Sequence, residues 1–233
     1  MISFFIPIRK GSKRIINKNL KKLPKYNRGL TELKISQFKN LRKKVHYEIG
    51  QKVEFVVSTN CKKVIKFLKK FSWIKIHKRS ENLSSDNSLD KLIRIVPKIC
   101  KGNYILWTHV TSPLFDEKEY SSFLKKFLKN KKKHNSAFSA DTIQKFIFSD
   151  KKWISHDVRK RKWPRTQDLK PLYIANSAAF IASRKVYINK KNRICSNPLP
   201  IVTNKKKALD IDNVEDFKKL KNILNVKKNK RDI

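Results

Sequence analysis

ISFFIPIRKGSKRIINKN, residues 2–19, decides the fold. Residues 2–8 form a short apolar run that reads as a first, buried strand. The run stops at a polar loop, residues 9–19, that carries Arg9, Lys10, Lys13 and Arg14 within six positions. Gly11 gives the backbone freedom for a close approach to a ligand. Exposed amides, the hydroxyl of Ser12 and clustered cations suit a polyphosphate, and Arg9, Lys13 and Arg14 are the candidates for neutralising it. The loop has neither the GxxxxGK[ST] of a Walker A motif nor the GxGxxG of a dinucleotide fingerprint.

Outward from that strand the chain alternates. Residues 30–41 read as a helix, 53–57 as a second strand, 61–71 as an amphipathic helix and 74–76 as a third strand. Leu89, Leu92, Ile93 and Val96 mark a further helix, 104–107 a strand ending in THVTSP, and 117–130 a helix. This rhythm predicts an α/β domain with a largely parallel sheet. Ligands of such sheets sit beyond the carboxyl ends of the strands, where the polar segments 9–19, 58–60 and 108–113 fall. Residues 137–148 read as two short paired strands, 149–170 as a polar excursion holding Trp153, Trp163 and Pro164, and 173–182 as a return to small and apolar residues. A short helix follows the acidic cluster LDIDNVEDF, and the final KKNKRDI reads as frayed. Neither a repeat nor a long linker interrupts the chain, which predicts one domain over residues 1–225 with an excursion at about 140–180.

Composition sets the outer bounds. The 233 residues carry 58 Lys+Arg against 18 Asp+Glu, a formal net charge of +40. Such a charge suits a nucleic acid, an anionic membrane or a small anionic substrate. The lysines are scattered rather than gathered into one arm, so compositional bias on solvated faces is the favoured reading. No nucleic-acid-binding module is recognisable and no run is long enough to span a bilayer. The three cysteines, Cys61, Cys100 and Cys195, are widely separated, which excludes a disulfide framework and zinc-ligand spacing and points to a reducing cytoplasm.

Acid is rare here, so its placement matters. Asp210 and Asp212 flank Ile211, and in an extended backbone both carboxylates leave the same face. Two hard oxygen ligands so placed suit Mg²⁺, with waters and phosphates completing its shell. The competing reading makes Asp212 the cap of the following helix, with Glu215 closing a capping box. Asp216 reads as first-turn helix charge, and Asp86 and Asp90 as loop and helix-start residues. Ser88 fits an N-cap for the helix through Leu89 and Leu92.

Six segments taken in order resemble the acylneuraminate cytidylyltransferases. They are IPIRKGSKRIINKN, VVSTN at 56–60, THVTSPL at 108–114, RTQD at 165–168, NSAAFI at 176–181 and ALDIDNVEDF at 208–217. The resemblance spans about residues 2–220. It implies a doubly wound, Rossmann-like nucleotidyltransferase fold, transfer of CMP from CTP to the anomeric hydroxyl of a nonulosonic sugar acid, release of pyrophosphate, dependence on Mg²⁺ and a homodimer. Bacterial members supply activated sugars for surface polysaccharide. By the same resemblance Arg9, Gly11, Ser12, Lys13, Arg14, Lys18, Asn19, Arg79, Ser88 and His109 are expected at CTP. His109, Thr111, Arg165, Gln167 and Asn176 are expected at the sugar, with Arg165 gripping its carboxylate, and Asp210 and Asp212 at the metal. His109 stands where the family usually has Gln, and Ser177 where it has Gly. A hydrogen-bonding contact is favoured for His109 over a general-base role. The alternatives are another 2-keto-3-deoxy acid such as the eight-carbon octulosonic acid, a catalytically impaired relative, or a basic nucleic-acid-binding protein.

Overall fold

A computed structural model describes residues 1–84 and 88–229, with side chains through residue 226. Its centre is a seven-stranded sheet. In chain order the strands are β1 (Ile2–Ile8), β2 (Val53–Thr59), β3 (Ile74–Lys78), β4 (Tyr104–Thr108), β5 (Ser136–Ile143), β8 (Leu172–Ser183) and β9 (Leu199–Val202). Two short strands, β6 (Phe148–Ser149) and β7 (Lys152–Trp153), form a separate hairpin. The spatial order is β3-β2-β1-β4-β8-β5-β9. β8 runs antiparallel to both its neighbours, while the other pairings are parallel. The sheet is therefore mostly parallel, as the alternation predicts.

The central strand explains why its sequence does not alternate. Phe4 and Phe5 point to opposite faces, and both are fully buried because helices cover the sheet on each side. Phe4 packs with Phe38, Phe55 and Tyr120 beneath α1 (Gly29–Ile49), α2 (Lys62–Leu68), α4 (Glu117–Asn130) and α6 (Val214–Asn229). Phe5 packs with Trp107 beneath α3 (Leu89–Ile99) and α5 (Arg184–Lys190).

Several boundaries differ from the sequence reading. α1 continues two turns past residue 41: Val45 stays buried and Glu48 joins Lys44, Ser121 and Lys125, until Gly50 ends the helix in a left-handed conformation. At its start Gly29 has φ +54° and a Cβ there would lie 2.2 Å from the Lys21 carbonyl, so only glycine fits. α2 ends at Leu68, shorter than expected. Residues 137–148 do not pair with themselves. β5 lies between β8 and β9, and Gln144 donates to the carbonyls of Gln167 and Leu169, drawing the chain away before β6. The last helix is not short but 16 residues long, with Phe217 and Leu220 in the core. The expected fraying at residues 227–233 and the reading of Asp86 fall largely or wholly outside the described residues. Among the described residues no helix is long and apolar enough to cross a membrane.

Candidate active site

The carboxyl ends of β1, β3 and β4 open onto one cavity of about 580 Å³. Its walls include Arg9, Ser12, Lys13, Arg14, Lys18 and Asn19 from the first loop, Arg79 and Ser88 beyond β3, His109 and Thr111 beyond β4, and Asp212. The topology thus gathers eleven of the sequence-predicted residues from four separate segments.

Each wall is held by identifiable bonds. Gly11 takes φ +84° at the turn of the basic loop. The loop is closed at its base by Asn19, whose Nδ2 donates to the Arg9 carbonyl at 3.1 Å, and is tied to β2 by Lys10 N–H donating to Asn60 at 2.9 Å. Thr31 on α1 donates to the Asn19 carbonyl at 2.8 Å. Arg79 is buried, with Nε and Nη2 donating to the Ser58 hydroxyl and carbonyl at 3.1 and 2.7 Å. Burial, reinforced by repulsion from Arg9, pulls its pKa down to about 10, so the side chain remains a cation. Ser88 occupies the N-cap position of α3, but its hydroxyl donates to the Leu83 carbonyl instead of capping the helix.

The acidic segment lies against the basic loop. Lys18 Nζ donates to the Ile211 carbonyl at 2.6 Å, and Arg14 pairs with Asp212 at 3.0 Å. Ile211 N–H donates to the Thr111 carbonyl at 2.8 Å, bridging this segment to the turn after β4. Burial lowers the pKa of Lys18, against the pull of Asp212 and Asp210. Burial raises that of Asp210, partly offset by a hydrogen bond from Thr111.

The capping alternative for Asp212 is corrected by the hydrogen bonds. Asn213 accepts from Asp216 N–H at 2.9 Å, and the Asp216 carboxylate accepts from the N–H groups of Asp212 and Asn213 at 3.0 Å. The capping box is therefore Asn213 with Asp216, one residue later than the sequence suggests. This leaves the Asp212 side chain to face the cavity. Asp210 Oδ1 is buried without a hydrogen-bond partner. Among the described residues no cluster of three or more His, Cys, Asp or Glu offers a complete metal cage. Of the pair only Asp212 lines the cavity; its carboxylate, with the orphaned oxygen of Asp210 two residues before it, fits a hard divalent ion that takes its other ligands from water and phosphate.

His109 is held by its neighbour two residues back. Trp107 Nε1–H donates to His109 Nε2 at 3.1 Å, so the neutral ring carries its proton on Nδ1. Burial, with Arg193, Lys34 and Lys18 adding repulsion, pushes the His109 pKa down to about 3. A ring neutral throughout the physiological range is a hydrogen-bonding group, in line with the favoured reading.

The remaining sugar-side candidates lie apart from this cavity. Arg165 is exposed and pairs with Asp168 at 3.1 Å, and Gln167 shares the same 3-10 turn, with its carbonyl accepting from Gln144. Asn176 lies on β8, bonded to Ser139, Asp141 and Thr203 at 2.6, 3.3 and 2.9 Å. Sequence reading missed Trp107, Leu89 and Leu92 as cavity walls. It also missed Lys34, whose fully buried Nζ donates to the carbonyls of Ser112 and Phe115 at 2.8 and 3.0 Å and to Tyr120 Oη at 3.2 Å. Gln37, one turn on, donates to the Pro113 carbonyl at 2.6 Å. The turn that carries His109 and Thr111 is thereby fastened to α1.

A seven-stranded mixed sheet with one reversed strand, opening onto a basic cavity at its carboxyl edge, is a Rossmann-like nucleotidyltransferase architecture. The solved CMP:2-keto-3-deoxy-manno-octonic acid synthetase complexed with CTP superimposes with a TM-score of 0.63 at 11% identity, covering 97% of this chain and 99% of that one. The 4-diphosphocytidyl-2C-methyl-D-erythritol synthase of Anaerococcus prevotii does so with a TM-score of 0.63 at 12% identity, covering 96% of each. These likenesses establish the fold. The family model described as cytidylyltransferase matches residues 3–231, and the chain belongs to that family. N-acylneuraminate cytidylyltransferase of Streptococcus agalactiae serotype III is 36% identical over 69 residues, 30% of this chain and 17% of that protein. Its serotype V counterpart is 33% identical over 85 residues, 36% of this chain and 19% of that protein. The chain thus spans under one fifth of the length of these curated relatives.

Proposed function

We propose that this protein is a CTP-dependent cytidylyltransferase that joins CMP to the anomeric hydroxyl of a nonulosonic, sialic-acid-like sugar acid and releases pyrophosphate. The observation that carries the reading is the meeting of Arg9, Lys13, Arg14 and Lys18 with the Asp210–Asp212 segment across one cavity. The attacking oxygen belongs to the acceptor, so no protein nucleophile is required. The basic loop binds and orients the triphosphate and offsets charge that grows on departing pyrophosphate. Arg14, paired with Asp212 at the cavity wall, would exchange that partner for phosphate. Lys18 holds the acidic segment in register through the Ile211 carbonyl. Asp210 and Asp212 would hold Mg²⁺, which supplies Lewis-acid stabilisation of phosphate charge.

The acceptor class rests on the sequence resemblance and on the partial matches to N-acylneuraminate cytidylyltransferases. An eight-carbon octulosonic acid is the second candidate acceptor. A homodimer is part of the same proposal. It is supported by the exposed apolar side chains of residues 148–174, Phe148, Ile154, Trp163, Tyr173 and Ile174. Pyrophosphate release, measured with CTP, UTP, ATP and GTP against a panel of nonulosonic and octulosonic acids, tests the function. Product with CTP and a nonulosonic acid is expected, and equal use of the purine nucleotides would exclude a cytidylyltransferase.

A further inference from the structure

Arg193 is a half-buried cation with no ion pair among the described residues. It lies in the stretch between α5 and β9, with its guanidinium carbon 3.9 Å from the ring centroid of Phe180 and 5.2 Å from that of Trp107. Phe180 on β8 and Trp107 on β4 are paired residues of adjacent strands, so the two rings form one platform. Cation–π contact accounts for the guanidinium resting on its face there. It does not satisfy the edge: Nη1 is buried with no hydrogen-bond partner. Burial lowers the pKa of this arginine, and the group that acts against that shift is Tyr187, which is neutral at physiological pH. Leaving a buried charge unpaired is costly unless a ligand supplies the missing partner.

The surroundings indicate which ligand. The cavity wall includes Trp107 and His109 but not Arg193, which borders it through the Trp107 ring, and His109 presents an Nδ1–H donor because its Nε2 accepts from the Trp107 indole. Two donors, one cationic and one neutral, therefore flank Trp107. The phosphate-binding cations Arg9, Lys13 and Arg14 belong to the loop after β1, separate from this group on β4 and after α5. A planar guanidinium matches a carboxylate through two parallel hydrogen bonds, and Nη1 here has no protein partner to give up.

We propose that Arg193 binds the carboxylate of the acceptor, with His109 donating from Nδ1 beside it, making the pair the specificity determinant for an acidic over a neutral sugar. The proposal rests on the cytidylyltransferase reading above. It moves the carboxylate partner from Arg165, which lies on the exposed excursion paired with Asp168, to a residue that no sequence motif marks.

The test compares the full-length wild-type protein with Arg193→Met, which keeps the apolar stem on the aromatic platform, and Arg193→Lys, which keeps the charge. Calorimetry gives the Kd for CTP, pyrophosphate release gives acceptor KM and kcat, and each acceptor is assayed as the free acid and as its methyl ester. Arg193→Met is expected to raise the KM for the acid by roughly tenfold to a hundredfold. It should also erase the preference for acid over ester while leaving the Kd for CTP within about twofold, a change small against the tenfold per 1.4 kcal/mol scale. Arg193→Lys should restore part of the acid preference, which a purely packing role would not produce. Unchanged acid KM and acid-to-ester preference in Arg193→Met overturns the assignment. So does a weakened Kd for CTP with unchanged acceptor KM, which would place phosphate on Arg193, or a loss of acid preference confined to Arg165→Ala. Wild-type protein that neither binds nor uses any 2-keto-3-deoxy sugar acid refutes the functional reading and the assignment together.

Discussion

Replacing Lys34 with Met should change how stability depends on pH. Lys34 sits on α1 with no solvent exposure, its ammonium bonded to two carbonyls of the 112–115 turn and to Tyr120. Burial, opposed by Asp116 and Glu117, lowers its pKa from 10.5 to about 7. The unfolded chain, with the higher pKa, therefore holds a proton that the folded protein has released between those two values. Stability rises with pH wherever the unfolded state binds more protons. The cost of burying the charge is thus fully present below pH 7 and fades as pH climbs towards 10.5. A shift of that size corresponds to on the order of 5 kcal/mol, of which about 2 kcal/mol is recovered between roughly pH 7 and pH 9. Lys34→Met has no group to titrate, so the wild-type minus mutant difference in unfolding free energy should grow by that amount over the interval. Urea denaturation in a buffer series measures it, and subtracting the mutant cancels the many other lysines. A difference that stays flat from pH 7 to 9, or falls, would refute the reasoning. The mutant should also turn over more slowly, because the turn that carries Thr111 and His109 loses its anchor.

Four further outcomes are expected. Asp210→Asn and Asp212→Asn should each lower kcat by about tenfold or more while circular dichroism stays native, since an amide keeps an oxygen but loses the charge. Wild-type turnover across a Mg²⁺ titration in both variants would remove the metal assignment. Arg14→Ala should weaken CTP binding by roughly tenfold, the equivalent of about 1.5 kcal/mol for a charged hydrogen bond, read by calorimetry. Asn213→Ala should cost about 1 kcal/mol in urea denaturation, because it removes the cap of α6. The pH–rate profile should show no inflection from His109 near its ordinary value of 6.5, because its pKa lies at about 3; an inflection near 6.5 that vanishes in His109→Gln would contradict that assignment.

The parallel core was legible because each strand is an apolar run that stops abruptly at a polar segment, and those stops are where the cavity opens. The strand-to-loop junction at Ile8–Arg9 and the Asp210–Asp212 spacing are local signals, and local signals survive in sequence. The reversal of β8 left no such mark, since its direction follows from pairing with β4 and β5 rather than from its own composition. Lys34 was readable in principle: it falls on the stripe Leu30, Lys34, Phe38, Leu41, where a charge on the buried face of a helix calls for a partner. Arg193 was not, because its importance depends on two rings that only the pairing of β4 with β8 sets side by side. The cap of α6 was misplaced by one residue because Asp212 and Asn213 are equally good caps by type, and only the backbone decides which side chain turns inward.

The basic loop and the acidic segment that complete the cavity touch through residues 193 and 198 positions apart, Lys18 with Ile211 and Arg14 with Asp212. A growing polypeptide makes the basic loop well before the acidic segment, so this side of the cavity cannot form until residue 212 has been made. Until then Arg14 lacks the carboxylate it pairs with, and the pocket gains its acid long after its cations. Nascent chains arrested at residue 207 should accordingly hold a nucleotide-facing loop that responds to phosphate but is indifferent to divalent ions. Extension through the acidic segment then switches on ion sensitivity, which chains arrested before and after it, compared in the same Mg²⁺ titration, would reveal.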